Sequence, residues 1–427
     1  MKGLRLSLMV LTATMLALGL SGMAYAFHSG GVAECEGCHS MHTPKAGGSF
    51  LLVGTDQSST CLSCHEHAGD TGPSSYHVGT AQADLGPSIP PKQRTPGGDF
   101  GWLRKTYTYT ASGSTYTEDG ATHGHNIVAV DNGYVVDPTK ATAPGGTFPS
   151  NQLACTSCHD PHGQFRRLQS GTIAKTGAPI KASGSYGGTS TANEPDAANA
   201  VGVYRLLAGS GYTKGGVTFN GVPAAKVPST YNQTEATNQV RVAYGVSAAS
   251  GHVTWSNWCA TCHPAMHTTG GNIVHPVDQN LGSEVATAYG LYVKSGDMAG
   301  TAATSFLSLV PFATNSSSYT TLAGLAVNNN SQLGGPATND QVICLSCHRA
   351  HASGMVEALR FDNGYEFMTV NSNYLGSDNP SMMTSSRAPL QHRGRTMAEW
   401  QAAYYDRPAT RWATYQRVLC NKCHAKD

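Results

Sequence analysis

The cysteines of this chain occur only in pairs, and each pair is followed directly by a histidine. All twelve cysteines lie in six copies of the pentapeptide Cys-x-x-Cys-His, numbered here motifs 1 to 6 in chain order. The thiol pairs are Cys35 and Cys38, Cys61 and Cys64, Cys155 and Cys158, Cys259 and Cys262, Cys344 and Cys347, and Cys420 and Cys423. The histidines that follow them are His39, His65, His159, His263, His348 and His424. Two thiols at this spacing add to the vinyl groups of one haem, and the next residue places an imidazole beneath the iron. The motifs therefore predict six covalently attached c-type haems.

Disulfides, zinc knuckles and thioredoxin-like redox pairs also use Cys-x-x-Cys, but none of them needs the histidine that follows. Histidine makes up 18 of 427 residues. The chance that it follows all six pairs without a reason is on the order of 10⁻⁸ to 10⁻⁹. Haem attachment is therefore the interpretation that the motifs favour.

Each iron needs a second axial ligand, and twelve histidines remain for six positions. Motifs 1, 3 and 5 extend to Cys-x-x-Cys-His-x-x-His, which adds His42, His162 and His351. Residues three apart share a helix face, so such a histidine cannot reach over its own haem but can reach an adjacent one. For haems 2, 4 and 6 the loop histidines His77, His125 and His275 are favoured. The alternatives that stay open are His28, His67, His123 and His267, whereas His252 and His392 are expected to be ordinary surface residues.

The first 26 residues have the features of a secretory signal peptide. Lys2 and Arg5 precede an apolar run from Leu6 to about Leu20, and Ala24-Tyr25-Ala26 offers a small-x-small cleavage site. A membrane anchor is the alternative, but the run is too short to span a bilayer comfortably and no second such stretch follows, so no membrane span is expected. The interpretation is a secreted chain in which residues 27–427 form a single hexahaem domain.

The charge of the chain argues against a nucleic-acid partner. Removal of Lys2 and Arg5 changes the formal net charge from +1 to −1, and six haems would add about twelve propionates. No basic stripe is present to neutralise phosphates. The mature protein is expected to be acidic.

The composition predicts a coil-rich fold with few short helices, in which the chain of haems forms the core. The sequence contains 49 Gly and 21 Pro, and only 12% of its residues are charged. Thr106–Thr110 and Thr115–Thr117 alternate Tyr and Thr around a turn and predict a minor β-hairpin. Met397–Tyr405 predicts a helix that resumes from Trp412 into Cys420, and other short helices are expected to begin at the motifs. No repeat of 20–50 residues is visible beyond the motif itself.

Several segments closely resemble the hexahaem outer-surface cytochromes, of the cytochrome S type, of Geobacter-type metal-reducing bacteria. The segments are Phe27–Cys35, Ala68–His77, Thr95–Leu103, His123–Val128, Cys344–Gly354 and Tyr415–Asp427. The resemblance implies an extracellular cytochrome that polymerises into filaments, with a continuous chain of bis-His haems within and between protomers. It also implies that one histidine crosses the interface. The matching residue is His42, which would reach haem 5, bound at Cys344 and Cys347, in the neighbouring protomer.

The positions of the motifs also favour conduction. Haem motifs lie near both ends of the mature chain, so haem 6 of one molecule can meet haem 1 of the next. A head-to-tail interface of this kind does not close and builds a fibre. The expected partners are further copies of the chain, other cytochromes, and extracellular electron acceptors such as metal oxides.

Two other functions compete with this interpretation. A multihaem reductase needs an open iron position, often marked by Cys-x-x-Cys-Lys or a shortage of distal ligands, and neither occurs here. A monomeric periplasmic electron shuttle stays open, because sequence alone does not reveal assembly. An electron-transfer protein that is not an enzyme is favoured.

Overall fold

The computed structural model describes residues 35–45, 50–73, 76–182, 184, 186–187, 194–246, 253–267, 277–382 and 385–424. The signal peptide expected over residues 1–26 and the histidines His28, His252 and His275 lie outside these residues. Within the described residues, the α-helices are α1 (Cys35–Cys38), α2 (Gln57–His65), α3 (Trp255–Ala260), α4 (Pro264–His267), α5 (Gly282–Leu291), α6 (Tyr319–Leu325), α7 (Cys344–Cys347), α8 (Ala388–His392), α9 (Met397–Ala403) and α10 (Asn421–His424).

Single 3₁₀ turns join many of these elements. They cover Gln82–Asp84, Phe100–Arg104, Gly120–His123, Val130–Asn132, Ser150–Gln152, Cys155–Ser157, Tyr204–Leu206, Ala302–Thr304, Val356–Ala358 and Ala409–Arg411. Even the longest described helix, α5, has only 10 residues. No helix in the described ranges is long and apolar enough to cross a membrane.

The strands are two to five residues long. They are β1 (Glu66–His67), β2 (Gly79–Thr80), β3 (Tyr107–Ala111), β4 (Ser114–Glu118), β5 (Arg166–Arg167), β6 (Ile173–Ala174), β7 (Tyr186–Gly187), β8 (Val201–Gly202), β9 (Thr213–Lys214), β10 (Val217–Thr218), β11 (Ala225–Pro228), β12 (Ala243–Gly245), β13 (Ala313–Thr314), β14 (Thr369–Val370) and β15 (Asn373–Tyr374). The largest sheet has the order β13-β12-β11-β7, and β6-β5-β8 form a second sheet. The pairs β1-β2, β3-β4, β9-β10 and β14-β15 complete the set. The predicted coil-rich fold is confirmed.

The predicted hairpin is present as β3 and β4. Thr108 pairs with Thr117 and Tyr109 with Tyr116, and the two tyrosine rings stack 5.4 Å apart. Ser112 and Gly113 have φ values of 51° and 80° at the turn. Two positive φ values are typical of the type I′ turn, whose twist matches that of the strands.

The C-terminal helix prediction is correct in its first half and wrong in its second. α9 forms with a capping box between Thr396 and Glu399. From Trp412 to Cys420 the chain is not helical, because its backbone bonds to another segment. The amide of Met368 donates to Gln416 O (2.6 Å) and that of Val418 to Glu366 O (2.9 Å). The helix of motif 6, α10, begins only after Cys420.

Apolar side chains form separate clusters beside the motifs. The largest cluster includes Trp102, Trp400, Tyr404 and Leu419, and the partly buried cysteines Cys347, Cys420 and Cys423 pack against it. A second cluster includes Tyr244, Trp255 and Ile343, and a third includes Leu62 and Phe100 and contacts Cys155. The motif cysteines therefore lie at the edges of apolar regions.

Candidate haem-binding sites

The proximal histidines are oriented by hydrogen bonds at Nδ1. In five motifs of the described chain Nδ1 lies against a main-chain carbonyl oxygen: His39 with Phe50 (2.8 Å), His65 with Tyr76 (3.4 Å), His159 with Arg205 (2.7 Å), His263 with Pro144 (2.9 Å) and His348 with Glu357 (2.8 Å). A carbonyl only accepts, so Nδ1 carries the proton. Nε2 then carries the lone pair of a neutral imidazole, the form that binds iron. Burial, the largest effect, lowers the pKa of His159 to about 4 and keeps it neutral.

Motifs 1, 3 and 5 share one backbone scaffold. The amide after each proximal histidine donates to a carbonyl one residue beyond the Nδ1 acceptor: Ser40 to Leu51 (2.6 Å), Asp160 to Leu206 (2.7 Å) and Arg349 to Ala358 (2.7 Å). A later amide then returns to the second cysteine: Val53 to Cys38 (3.0 Å), Ala208 to Cys158 (2.9 Å) and Arg360 to Cys347 (2.7 Å). The histidine and its Nδ1 acceptor are 11, 46 and 9 residues apart in the three motifs. The same hydrogen-bonded scaffold therefore occurs three times in the structure. It is not visible in the sequence, because the segments that separate its two halves differ in length.

A left-handed turn presents these carbonyl groups. Leu51, Leu206 and Ala358 have φ values of 57°, 56° and 55°. Each such residue costs about 1 kcal/mol in strain. Their neighbours in the turn donate and accept the bonds of the scaffold, which offset this strain.

Motifs 2 and 4 instead lie at the ends of helices. Asp56 caps α2 by accepting from Ser59 N, and Thr254 caps α3 by accepting from Asn257 N. One serine of each helix then accepts an amide of the next motif, Ser58 from Cys155 N (3.2 Å) and Ser256 from Cys344 N (3.3 Å). The junction between motifs 2 and 3 therefore has the same design as that between motifs 4 and 5.

Thiol contacts give the spatial order of the motifs. The thiols of Cys61 and Cys155 hydrogen-bond each other, as do those of Cys259 and Cys344, and the second bond lowers the pKa of Cys344. At each remaining junction, burial first and a nearby thiol of the adjacent motif second raise the pKa of one cysteine: Cys38 near Cys64, Cys158 near Cys262, and Cys347 near Cys420. The six motifs therefore follow one another in space in chain order.

His125 faces a proximal histidine at the spacing expected of a shared iron. Its ring centre lies 6.0 Å from that of His263, at 52°. Nitrogen ligands sit about 2.0 Å from a metal, which puts imidazole centres on opposite sides of it roughly 6 Å apart. Its Nδ1 donates to Ala350 O at 2.8 Å. Burial first, and then His263, lower the pKa of His125 to about 4.

His351 lies near His159, the proximal histidine of motif 3. Its ring stacks on Phe100 at 4.5 Å, and its Nδ1 lies 3.3 Å from Gly98 O. Burial, followed by the nearby His159, lowers the pKa of His351 to about 3. A Cβ at Gly97 would lie 3.0 Å from Nδ1 of His351, so a side chain there would crowd the ring.

The other favoured histidines are placed differently. His77 is mostly buried and its Nδ1 lies 2.5 Å from Asp70 Oδ2. The ring of His77 stacks with that of the alternative His67 at 6.1 Å. His42 and His162 are exposed, and the structure does not bring either to an iron site within the described residues. The sixth favoured histidine, His275, lies outside the described residues.

Two alternatives have their ring nitrogens engaged elsewhere. His123 is fully buried, with Nδ1 3.0 Å from Trp102 O and Nε2 2.9 Å from Glu118 Oε1. His267 places Nε2 3.3 Å from Asp278 Oδ2. His392, expected at the surface, is half-buried, and its Nδ1 accepts from Gly394 N at 3.0 Å. An iron ligand needs Nε2, so His123 and His267 fit this role poorly.

The donor set fits haem c better than a bare metal ion. The described part of the chain contains no group of three or more His, Cys, Asp or Glu side chains arranged to hold an ion. Beside His348, Arg349 is 3% exposed, with its guanidinium 3.5 Å from the Tyr405 ring centre and its Nη1 donating to Pro96 O, whereas its Nε and Nη2 atoms have no hydrogen-bond partner among the described residues. A buried cation in this state suits an anionic group such as a haem propionate.

Comparisons with known proteins identify the family. No family profile matches the chain. The C-type cytochrome OmcS of Geobacter sulfurreducens is 49% identical to it over an alignment that covers 100% of both chains. The chain belongs to the OmcS family of c-type cytochromes. Two solved structures agree with this assignment, the cryo-EM structure of the OmcS nanowires of Geobacter sulfurreducens and the outer membrane cytochrome S filament of the same bacterium. Each has a TM-score of 0.82 and covers 94% of this chain and 100% of its own, at 49% and 50% identity respectively.

That the motif cysteines and proximal histidines bind haem stays a prediction from the sequence, which missed the scaffold of motifs 1, 3 and 5. It also missed Asp70 as the partner of His77. A signal for the scaffold was present in the extension Cys-x-x-Cys-His-x-x-His, which motifs 1, 3 and 5 share.

Proposed function

We propose that this protein carries electrons along a single file of six covalently bound c-type haems and polymerises into conductive extracellular filaments. The filaments deliver electrons to other cytochromes and to extracellular acceptors such as metal oxides. The observation that carries this proposal is that successive Cys-x-x-Cys-His motifs lie near one another in chain order, in a chain whose relative OmcS forms nanowires.

Bound haem supplies one-electron chemistry at iron. The residues of the chain fix where that chemistry takes place. Twelve thiols anchor the six groups, and the carbonyl acceptors fix the tautomer and direction of the proximal imidazoles. Ligation of both axial positions by histidine leaves no open site for a substrate, which favours electron transfer over a reductase activity.

The proposed ligand set joins each proximal histidine to one distal histidine. The proximal ligands are His39, His65, His159, His263, His348 and His424. The distal ligands are His42, His77, His125, His162, His275 and His351. The facing rings of His125 and His263 support their sharing haem 4.

One step relates the distal histidines of motifs 1, 3 and 5. His351 belongs to motif 5 and lies near His159 of motif 3, two motifs back. Because the three motifs share one scaffold, we infer that His162 of motif 3 likewise binds the haem two motifs back, haem 1. For His42 of motif 1, the haem two motifs back would be haem 5 of the next protomer. This supports His42 as a ligand of haem 5 across the interface.

The burial of the scaffold supports the same interface. Leu206 and Ala358 are 5% and 6% exposed, whereas Leu51, at the equivalent position of motif 1, is 45% exposed. Met41 and Phe50 beside it are 80% and 62% exposed. In motif 5 the turn Val356–Ala358 contacts the preceding segment Gly120–His123, and in motif 3 the turn Tyr204–Leu206 contacts the later strand β11. For motif 1 we infer that a second copy covers this position, in a head-to-tail contact that builds a fibre.

The variant His42→Ala tests the ligand and the filament together. Haem attachment needs only the Cys-x-x-Cys-His residues, so the variant should be secreted with six haems but polymerise poorly. Its junction iron should be five-coordinate or water-ligated. The matched control is His162→Ala, which should open one iron within every monomer and still form filaments. Normal filaments of His42→Ala with six low-spin haems would refute the proposal.

A further inference from the structure

His77 differs from the other candidate iron ligands in the partner of its Nδ1 atom. That atom lies 2.5 Å from the carboxylate oxygen Oδ2 of Asp70. For the other candidate ligands whose Nδ1 bond is described, the partner is a main-chain carbonyl: His39, His65, His125, His159, His263, His348 and His351. His77 therefore bonds to a charged acceptor where the others bond to neutral ones.

The carboxylate is held in place by a buried network. The side chains of Asp70 and His77 are each 13% exposed. Gln93 Nε2 donates to Asp70 Oδ2 at 2.6 Å, and Asn232 Nδ2 donates both to Gln93 Oε1 (2.7 Å) and to His77 O (2.9 Å). Lys92 lies on the other side, where Nζ donates to the main-chain oxygen of Asp70 (2.9 Å) and pairs with Asp84 (3.5 Å).

A carboxylate acceptor changes the imidazole more than a carbonyl does. Charge-assisted hydrogen bonds are about twice as strong as neutral ones. A carboxylate bonded to the outer nitrogen of a metal-bound histidine raises the basicity of the ligand. A more basic axial ligand stabilises ferric over ferrous iron, and second-shell bonds of this kind tune haem potentials.

We propose that Asp70 is a positioning residue that lowers the reduction potential of the haem whose iron His77 binds. The inference rests on the proposed function, in which His77 is a distal ligand. The proximal ligands of haems 1 to 5 all bond main-chain carbonyl groups in the described structure, so this carboxylate sets its haem apart from the others whose ligand bonds are described. The result is an energy step near the motif 1 end of the file.

The test is a spectroelectrochemical titration of the full-length holoprotein carrying Asp70→Asn. Asparagine keeps the size and one acceptor oxygen but removes the charge. The midpoint potential of one haem should rise by about 59 mV, which corresponds to a tenfold change in the equilibrium constant of its one-electron reduction. The matched control is Asp84→Asn, an acid of the 3₁₀ turn Gln82–Asp84 that accepts from Gly69 N at 2.8 Å and pairs with Lys92, but bonds no candidate ligand among the described residues. It should move no transition to a similar extent.

A second variant tests the sign independently of Asp70. Gln93→Met removes a donor that competes for Asp70 Oδ2, so the carboxylate bonds to His77 more strongly and the same transition should move to lower potential. Low-temperature electron paramagnetic resonance should show one low-spin ferric signal that changes in both variants while the others stay. If neither variant moves a transition although all haems stay low-spin, the role of Asp70 is refuted and the proposed function stands. High-spin haems in the unmodified filaments would instead refute the proposed function.

Discussion

Leu51 offers a sharp test of the filament interface. Comparison with motifs 3 and 5, which share the same scaffold, indicates that a second copy of the chain buries the side chain of Leu51. The substitution Leu51→Asn removes this apolar side chain. Asparagine tolerates a positive φ well, and the φ of Leu51 is 57°. The variant should therefore fold and attach haem normally, and only assembly should suffer.

The size of the effect follows from the equivalent positions. Full burial of a leucine side chain contributes about 1.5–3 kcal/mol. Leu51 is 45% exposed and Leu206 is 5% exposed, so covering the difference contributes about 1 kcal/mol per junction. Burying the asparagine amide costs about 1–2 kcal/mol more. Together these raise the critical concentration for polymerisation roughly 30- to 150-fold.

Sedimentation and negative-stain imaging across a concentration series measure this change. The matched control is Leu390→Asn in α8, where the leucine is 40% exposed but lies outside the repeated scaffold. It should leave the critical concentration within about twofold of the unmodified protein. Filaments of Leu51→Asn that form at the unmodified concentration would refute the assignment of this surface.

Two further predictions concern the interior. His351→Ala should open one iron in every monomer, so that each monomer binds one equivalent of carbon monoxide. His123→Ala should bind none, because both ring nitrogens of His123 bond within the protein. Equal binding of carbon monoxide by the two variants would contradict the ligand set. Burial alone would raise the pKa of Glu118, but hydrogen bonds from His123 and Arg395 lower this pKa to about 2. The ionised Glu118 therefore adds about 3 kcal/mol to the free energy of unfolding at pH values above its ordinary pKa. This contribution is lost as the pH falls towards 2. The free energies of unfolding of the unmodified protein and of Glu118→Gln should accordingly differ at pH 6 and become equal at low pH. A difference that persists at pH 2 would contradict the assignment of this stability to the ionised Glu118.

The sequence predicted the parts of the fold that local chemistry determines. The spacing of the Cys-x-x-Cys-His motifs predicts haem attachment, the alternation of Tyr and Thr predicts β3 and β4, and the helix-forming residues from Met397 to Tyr405 predict α9. In each case the residues that decide the structure are close together in the chain. The fold class followed from the composition, because a chain so rich in glycine and so poor in charge forms few long elements.

The rest depends on contacts between distant segments. The segment from Trp412 to Cys420 has helix-forming residues, but its backbone bonds to residues 366–372 and prevents the helix. The repeated scaffold is hidden because its two halves lie 11, 46 and 9 residues apart. His123 and His125 are two residues apart and look alike in sequence. Only the partners of their ring nitrogens, Glu118 for one and Ala350 for the other, distinguish a buried structural histidine from a candidate ligand.

The most direct test of the central claim is a helical cryo-EM reconstruction of the secreted filaments in which individual haems are resolved. We predict six haems per protomer, ordered from motif 1 to motif 6, with haem 6 followed by haem 1 of the next protomer and His42 on haem 5 of its neighbour. Haems that depart from chain order, or a break in the file at the junction between protomers, would contradict the account.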